Sequence, residues 1–310
     1  MAAQPAFAKE SSPWLQYTHK DMEELVKQQL SVFRNERVLL QLEDNLEDKV
    51  DQIIEEGKSE FCWSVHFAPG FLARLFFEGF LPICTNVAAH DPIWVLLPKL
   101  HRRRCVMHPS EARIGKGAAK RCKNFMFSVD RDLDAVVAGC VEQHGQSWLY
   151  PPIIRAFTLL HRSGRCETVA IRSVEVWDED GSLVAGEIGV TVGAVYTSLT
   201  GFYRVSGSGS VQLCALAAHL VAAGVQMWDF GMSMAYKTEL GAATIGRAEF
   251  VRRFRELRQV AAVPFLVPGA GDSGLVRARD LVKAARAAPG SGQAAPASPT
   301  LAADACVATN

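Results

Sequence analysis

Residues 173–241 constrain this chain more than any other stretch. Three apolar runs, 173–177, 183–190 and 194–204, follow one another, with Asp178-Glu179-Asp180-Gly181 between the first two. Extended runs joined by tight polar turns predict an antiparallel meander. The third run ends in Gly207-Ser208-Gly209-Ser210. A helix is predicted over 211–223, capped by Ser210 and stopped by Gly224, and 225–230 returns as a strand. Strands and helices alternate around a central meander, so the fold class is α+β: a mixed sheet flanked by helices.

The remaining chain is read around this centre. Apolar residues at three-to-four spacing among acidic ones predict two helices over 21–57, broken near Asn35. A strand is predicted at 61–67, then an apolar helix at 71–77 that ends at Gly79, with Pro82 closing the turn. Residues 92–97 and 105–107 read as short extended pieces and 125–129 as a strand. Helices are predicted at 132–143, 153–161 and 248–257. Residues 1–20 read as a flexible N-terminus. From 284 to 310 Ala, Pro, Gly and Ser dominate without periodicity, which predicts a disordered tail. The expected division is an N-terminal α/β domain over 21–124 and a second domain over 125–283.

With 33 basic and 33 acidic residues the chain is neutral overall, so a case for nucleic acid must be local. Residues 99–123 make that case: Lys99, Arg102, Arg103, Arg104, Arg113, Lys116, Lys120, Arg121 and Lys123 fit phosphodiester binding, as they fit a solvated face. Eight cysteines without CxxC pairs read as reduced, mostly buried thiols. No secretory signal pattern and no apolar run of about 18–20 residues is present, so a cytoplasmic chain without membrane contact is expected.

Arg204-Val205-Ser206-Gly207-Ser208-Gly209 runs into a helix, and such a loop admits a phosphate to the helix N-terminus. It resembles the phosphate loop of acyl-CoA-dependent N-acetyltransferases. Asp229 within Met227-Trp228-Asp229-Phe230, and Glu187 between Gly186 and Ile188, are carboxylates in apolar strands. Such groups are costly unless paired or used, and the two are expected to face one cleft. Glu175 alternates with Val174 and Val176 and reads as exposed. The histidines lack zinc-ligand spacing, so no metal is expected.

Several segments in order resemble the leucyl/phenylalanyl-tRNA–protein transferase family: Gly79-Phe80-Leu81-Pro82-Ile83, the basic helix 113–123, and Ser147-Trp148-Leu149. Leu160-His161-Arg162-Ser163-Gly164, Ser173-Val174-Glu175-Val176-Trp177, Gly186-x-x-Gly189-Val190 and Leu240-Gly241-Ala242 continue the series. The resemblance covers roughly residues 70–258. It implies an N-acetyltransferase-like second domain and transfer of an amino acid from aminoacyl-tRNA to a protein's N-terminal α-amine, a step that marks proteins for degradation. It implies no cofactor besides the tRNA donor, and the partners are aminoacyl-tRNA and protein N-termini. A monomer is expected.

Carried over position by position, the resemblance makes Asp229 the catalytic residue. Glu187, Trp148, Phe157, Leu199, Gly231 and Ile83 become substrate-binding, and Arg113, Lys116, Lys120, Arg121, Lys123 and Arg204 tRNA-binding. The departures fall in the pocket. The family's glutamate aligns with Leu199, its glutamine with Gly231, its tryptophan with Ile83 and a tyrosine with Phe157. Glu187 replaces an apolar pocket residue, which points to arginine or lysine as donor instead of leucine or phenylalanine. The alternatives are an acetyl-CoA-dependent N-acetyltransferase and a non-catalytic relative that binds tRNA or protein N-termini.

Overall fold

A computed structural model describes residues 18–29, 37–57, 59–88, 92–164, 166, 168–261 and 264–287. The expected flexible segment 1–20 falls outside them up to residue 17, and the expected tail from residue 288 on.

The N-terminal part holds α1 (His19–Gln29), β1 (Val38–Leu39), α2 (Leu46–Glu56), β2 (Cys62–Trp63), α3 (Pro69–Phe77), β3 (Leu81–Asn86) and β4 (Trp94–Lys99). The paired helices expected over 21–57 give way to helix, strand, helix. Val38 and Leu39 pair in parallel with Cys62 and Trp63. Asn45 then starts α2 by accepting the Glu47 amide. Pro82, expected in a turn, lies within β3 opposite Pro98 of β4. Two prolines face each other at a place in this two-stranded ribbon where neither has an amide to give.

The larger part begins at β5 (Arg103–Met107) and continues with α4 (Lys116–Arg121), β6 (Met126–Val129), α5 (Leu133–His144) and α6 (Pro151–Arg162). The meander follows as β7 (Val169–Trp177), β8 (Leu183–Val192) and β9 (Val195–Tyr203). Then come α7 (Ser208–Ala223), β10 (Met227–Asp229), α8 (Ala235–Leu240), β11 (Ala243–Gly246), α9 (Arg247–Arg258), β12 (Val276–Arg277) and α10 (Ala278–Ala287). The eight described strands lie in the order β11-β5-β10-β9-β8-β7-β6-β12. Among the described strands of this sheet only β9 and β10 pair in parallel, joined by the α7 crossover. This is the expected mixed sheet flanked by helices. β5 lies inside it, so the sheet reaches back to Arg103 and the expected boundary at 124/125 cuts through it. α7 starts at Ser208 after left-handed Gly207, and the Ser208 hydroxyl donates to Val184 and Val205 carbonyls; the expected Ser210 cap is not formed.

Two apolar layers sandwich the sheet. One face packs on α7, α10 and Phe265 through Val174, Tyr196, Trp228, Ala215 and Leu281. The other packs on α3, α5, α6 and α9 through Ile188, Val190, Met227, Phe157 and Phe250. A smaller cluster around Trp63 and Val95 fills the N-terminal part. Arginines of α9 tie the parts together. Arg247 donates to the Ile53 and Ser59 carbonyls at 3.1 and 2.8 Å. Arg255 pairs with Asp51 at 2.8 Å, and Arg258 with Glu47 at 3.2 Å. The described cysteines are free thiols, all buried except half-buried Cys166.

Candidate functional site

Among the described residues β9 and β10 part after a short pairing. β9 and β10 pair over Val195–Thr197 and Met227–Asp229; beyond that β9 runs on to Tyr203 while the other chain turns away. The turn is made at Gly231, whose φ of +69° is costly for any side chain. Lys237 holds it, donating from Nζ to the carbonyls of Phe230 at 2.6 Å and Met232 at 2.9 Å. Burial of this amine lowers its pKa. Met232, Met234 and Tyr236 are exposed along the turn, and Tyr203 along the facing strand.

Asp229 ends β10 and is fully buried. Oδ1 accepts from Arg104 Nε and the Gly231 amide at 2.8 and 2.9 Å; Oδ2 accepts from Arg104 Nη2 and Thr197 Oγ1 at 2.8 and 2.9 Å. The Arg104 guanidinium lies 4.3 Å from the centre of the Phe250 ring. A carboxylate bound on both oxygens to a buried arginine shapes the turn; it has no lone pair aimed at the opening. Arg104 belongs to the basic run assigned above to phosphate, but alternation along β5 turns it inward beside Val106.

Glu187 is 6% exposed, in β8. Oε1 accepts from Ser198 Oγ at 2.6 Å and Tyr196 Oη at 2.9 Å, and Oε2 from Gln212 Nε2 at 2.9 Å. Ser198 in turn accepts from Trp228 Nε1 at 2.9 Å. Burial pushes the Glu187 carboxyl up to about 7, against the pull of these donors and of Lys237.

The expected shared cleft is therefore not formed. Trp228 is opposite Tyr196, and Asp229 opposite Thr197. Glu187, Tyr196, Ser198 and Trp228 thus face α7, while Asp229, Thr197 and Arg104 face the other layer. Among the expected substrate-binding residues, Trp148, Phe157 and Leu199 pack in that second layer. The Phe157 ring is 6.3 Å from Trp148 and 5.8 Å from Phe76. Glu187 does not join them, and Ile83 points into the N-terminal cluster instead. A side chain at Gly231 would approach Leu81 at 3.3 Å. Glu175, expected on an exposed face, is fully buried. It accepts from Ser128 Oγ at 2.7 Å, from Ser173 Oγ and from the amides that open α5; burial raises its pKa.

The expected tRNA-binding cations Arg113, Lys116, Lys120, Arg121 and Lys123 are all exposed. A Cβ at Gly207 would sit 2.8 Å from Arg121 Nε, so the basic segment borders the glycine loop. Arg204 is held otherwise: it pairs with Glu142 at 2.7 Å and donates to the Leu183 carbonyl at 2.9 Å. A separate cavity of about 780 Å³ lies at the β6–β12 edge, lined by Arg131, Asp132, Trp177, Asp178 and Arg277, and contains none of the expected site residues. Among the described residues no three His, Cys, Asp or Glu side chains gather to hold a metal ion, and no helix is long and apolar enough to cross a membrane.

Sequence reasoning put Arg104 in the basic run and did not single out Tyr196, Ser198, Gln212 or Lys237. Strand alternation carried a signal for the first three; Gln212 and Lys237 come from helices whose placement only the fold supplies.

Comparison with known proteins gives the class first. The family described as "Leucyl/phenylalanyl-tRNA protein transferase" matches residues 106–255. The Rhizorhabdus wittichii leucyl/phenylalanyl-tRNA–protein transferase is 32% identical over 188 residues, covering 59% of this chain and 72% of its own. The Chromohalobacter salexigens protein of the same name is 33% identical over 209 residues, covering 65% and 76%. Among solved structures FemX aligns at 12% identity with a TM-score of 0.36, over 65% of this chain and 73% of its own. The protein is by class a transferase. It belongs to the leucyl/phenylalanyl-tRNA–protein transferase family.

Proposed function

We propose that this chain moves an aminoacyl group from aminoacyl-tRNA to the N-terminal α-amine of a protein. The observation that carries this reading is the apposition of the exposed basic segment, through Arg121, to the glycine loop that opens α7. A tRNA backbone on Lys116, Lys120 and Lys123 brings its acceptor end toward the parting of β9 and β10. The donor is an activated ester, so the protein need only align it with the amine, move a proton and stabilise the oxyanion.

Arginine or lysine as donor rested on Glu187 flooring a pocket with Trp148 and Phe157. Its place on the opposite face withdraws that support, and the expected pocket residues in that second layer, Trp148, Phe157 and Leu199, are apolar. Transfer to a labelled peptide from purified Arg-, Lys-, Leu- and Phe-tRNA tests both levels. Incorporation from at least one is expected, the donor that works names the specificity, and no incorporation from any overturns the reading. Lys116→Glu with Lys120→Glu should weaken tRNA binding and lower the slope of log K against log salt by about 0.7–0.9 for each phosphate no longer neutralised. An unchanged slope would remove tRNA from this face. The glycine loop also suits coenzyme A, and stabilisation by acetyl-CoA without any by tRNA would favour acetyl transfer.

A further inference from the structure

Ser198 is the first residue of β9 beyond its pairing with β10, and it is half-buried at the parting. A hydroxyl carries one proton and two lone pairs. Its proton goes to Glu187 Oε1 at 2.6 Å and one lone pair to Trp228 Nε1 at 2.9 Å. The second lone pair takes no bond from the described residues and stays open to an N–H at the parting. Behind it, Glu187 is a carboxyl with hydroxyl and amide donors but no ion pair among the described residues. Lys237, whose charge acts on it, spends its amine on the Phe230 and Met232 carbonyls. Asp229 is arranged in the opposite way, locked to Arg104.

Resting on the reading of aminoacyl transfer, we propose that Ser198 accepts a proton from the attacking α-amine and relays its own to Glu187, so that the serine is a catalytic residue and the glutamate its proton sink. The amine nitrogen bonds to the ester carbonyl carbon. It loses one proton to Ser198 Oγ as the Ser198 proton passes to Glu187. The bond from that carbon to the tRNA ribose oxygen breaks, and the proton held on Glu187 returns through Ser198 to the ribose oxygen. The products are an amide and a free hydroxyl, with both residues restored and no other reactant consumed.

The electrostatics suit the role. A base works best when its pKa lies near the working pH, and burial pushes Glu187 up to about 7. The other groups around it stay neutral there. Burial raises Tyr196 of β9 well above its usual range, and moves Tyr236 of α8 and the Cys140 thiol of α5 up to about 12. Gln212 of α7 does not titrate. Among the described residues Lys237 is the charged group that acts on it, and it lowers the Glu187 pKa.

The test compares the wild type with Glu187→Gln and Ser198→Ala in peptide transfer from the donor tRNA the wild type uses. A free N-terminal amine titrates at about 7.7–8.0, so two groups must lose protons and log(kcat/KM) should rise about two units per pH unit below pH 6. Glu187→Gln should lower kcat about a hundredfold, leave the KM for tRNA unchanged and reduce that slope to about one. Ser198→Ala, which removes one oxygen, should lose kcat comparably and guards against misfolding of the first variant; unchanged melting temperatures identify folded protein. Folded variants that keep wild-type kcat and the steeper slope would overturn the relay while transfer itself stands. A wild type that transfers nothing would overturn the reading on which the relay rests.

Discussion

Asp229 and Glu187 are both buried carboxyls, and their neighbours give them different work. Removing one partner of a buried ion pair strands the other charge, so Asp229→Ala should cost about 3–5 kcal/mol in urea unfolding. Asp229→Asn, which keeps an acceptor for Arg104, should cost less; equal losses would mean the charge of the pair is immaterial. His219 is another buried polar group. Its ring nitrogens have no partner among the described residues, and its ring packs 4.5 Å from Phe265 and 5.8 Å from Phe127. Burial lowers its pKa from 6.5 to about 4. The folded state then binds fewer protons than the unfolded chain between those values, so the stability this group gives is present above pH 6.5 and lost as pH falls toward 4. His219→Phe should flatten that loss and add ~1–3 kcal/mol near neutrality by removing unmet polar atoms. Melts from pH 7 to pH 4 check it; curves parallel to wild type would contradict it. Asp229 was visible in the sequence as a costly strand carboxylate, and its arginine partner was not, because Arg104 sits among cations that do face solvent. Charge clustering reads as surface until strand parity separates the members.

At the scale of elements, the meander and its turns could be read from nearly unbroken apolar runs between polar turns, because each strand buries both faces. Their glycines could be read only as a motif. A Cβ at Gly189 would lie 2.2 Å from Tyr196 Oη, so this glycine leaves room for the tyrosine to cross β8 and reach Glu187. Gly189→Ala should force the ring aside at a cost of about 1–3 kcal/mol and break the hydrogen bond to the carboxyl. Loss of stability with unchanged transfer would show that the tyrosine is not needed by the site. Ser173, Glu175 and Trp177 have a similar explanation. Trp177 Nε1 donates to Ser128 at 2.8 Å, Ser128 to Glu175, and Glu175 accepts the amides of Arg131 and Asp132 at the start of α5. Periodicity gave Glu175 the right direction and the wrong environment, since a strand pattern does not say which helix will cover it. The helical reading of 21–57 holds for α1 and α2 and fails between them for the same kind of reason. Val38 and Leu39 fit a helical stripe, but pairing with Cys62 and Trp63 decides their conformation.

At the scale of the molecule, the α9 arginines make the N-terminal part a working component of the sheet. Arg247 fills carbonyls of Ile53 and Ser59, and Arg255 and Arg258 reach Asp51 and Glu47. The family match begins at residue 106, two positions after the partner of Asp229. A fragment cut to 106–255 keeps the stretch the family model matches and forfeits Arg104, most of β5 and every acceptor that α9 binds at the other end. It should show no cooperative thermal transition, whereas the intact chain should melt in a single step seen alike by fluorescence and circular dichroism. The borders of the matched stretch and of the folding unit thus differ here, and an engineer borrowing this catalyst must carry the residues ahead of position 106 along.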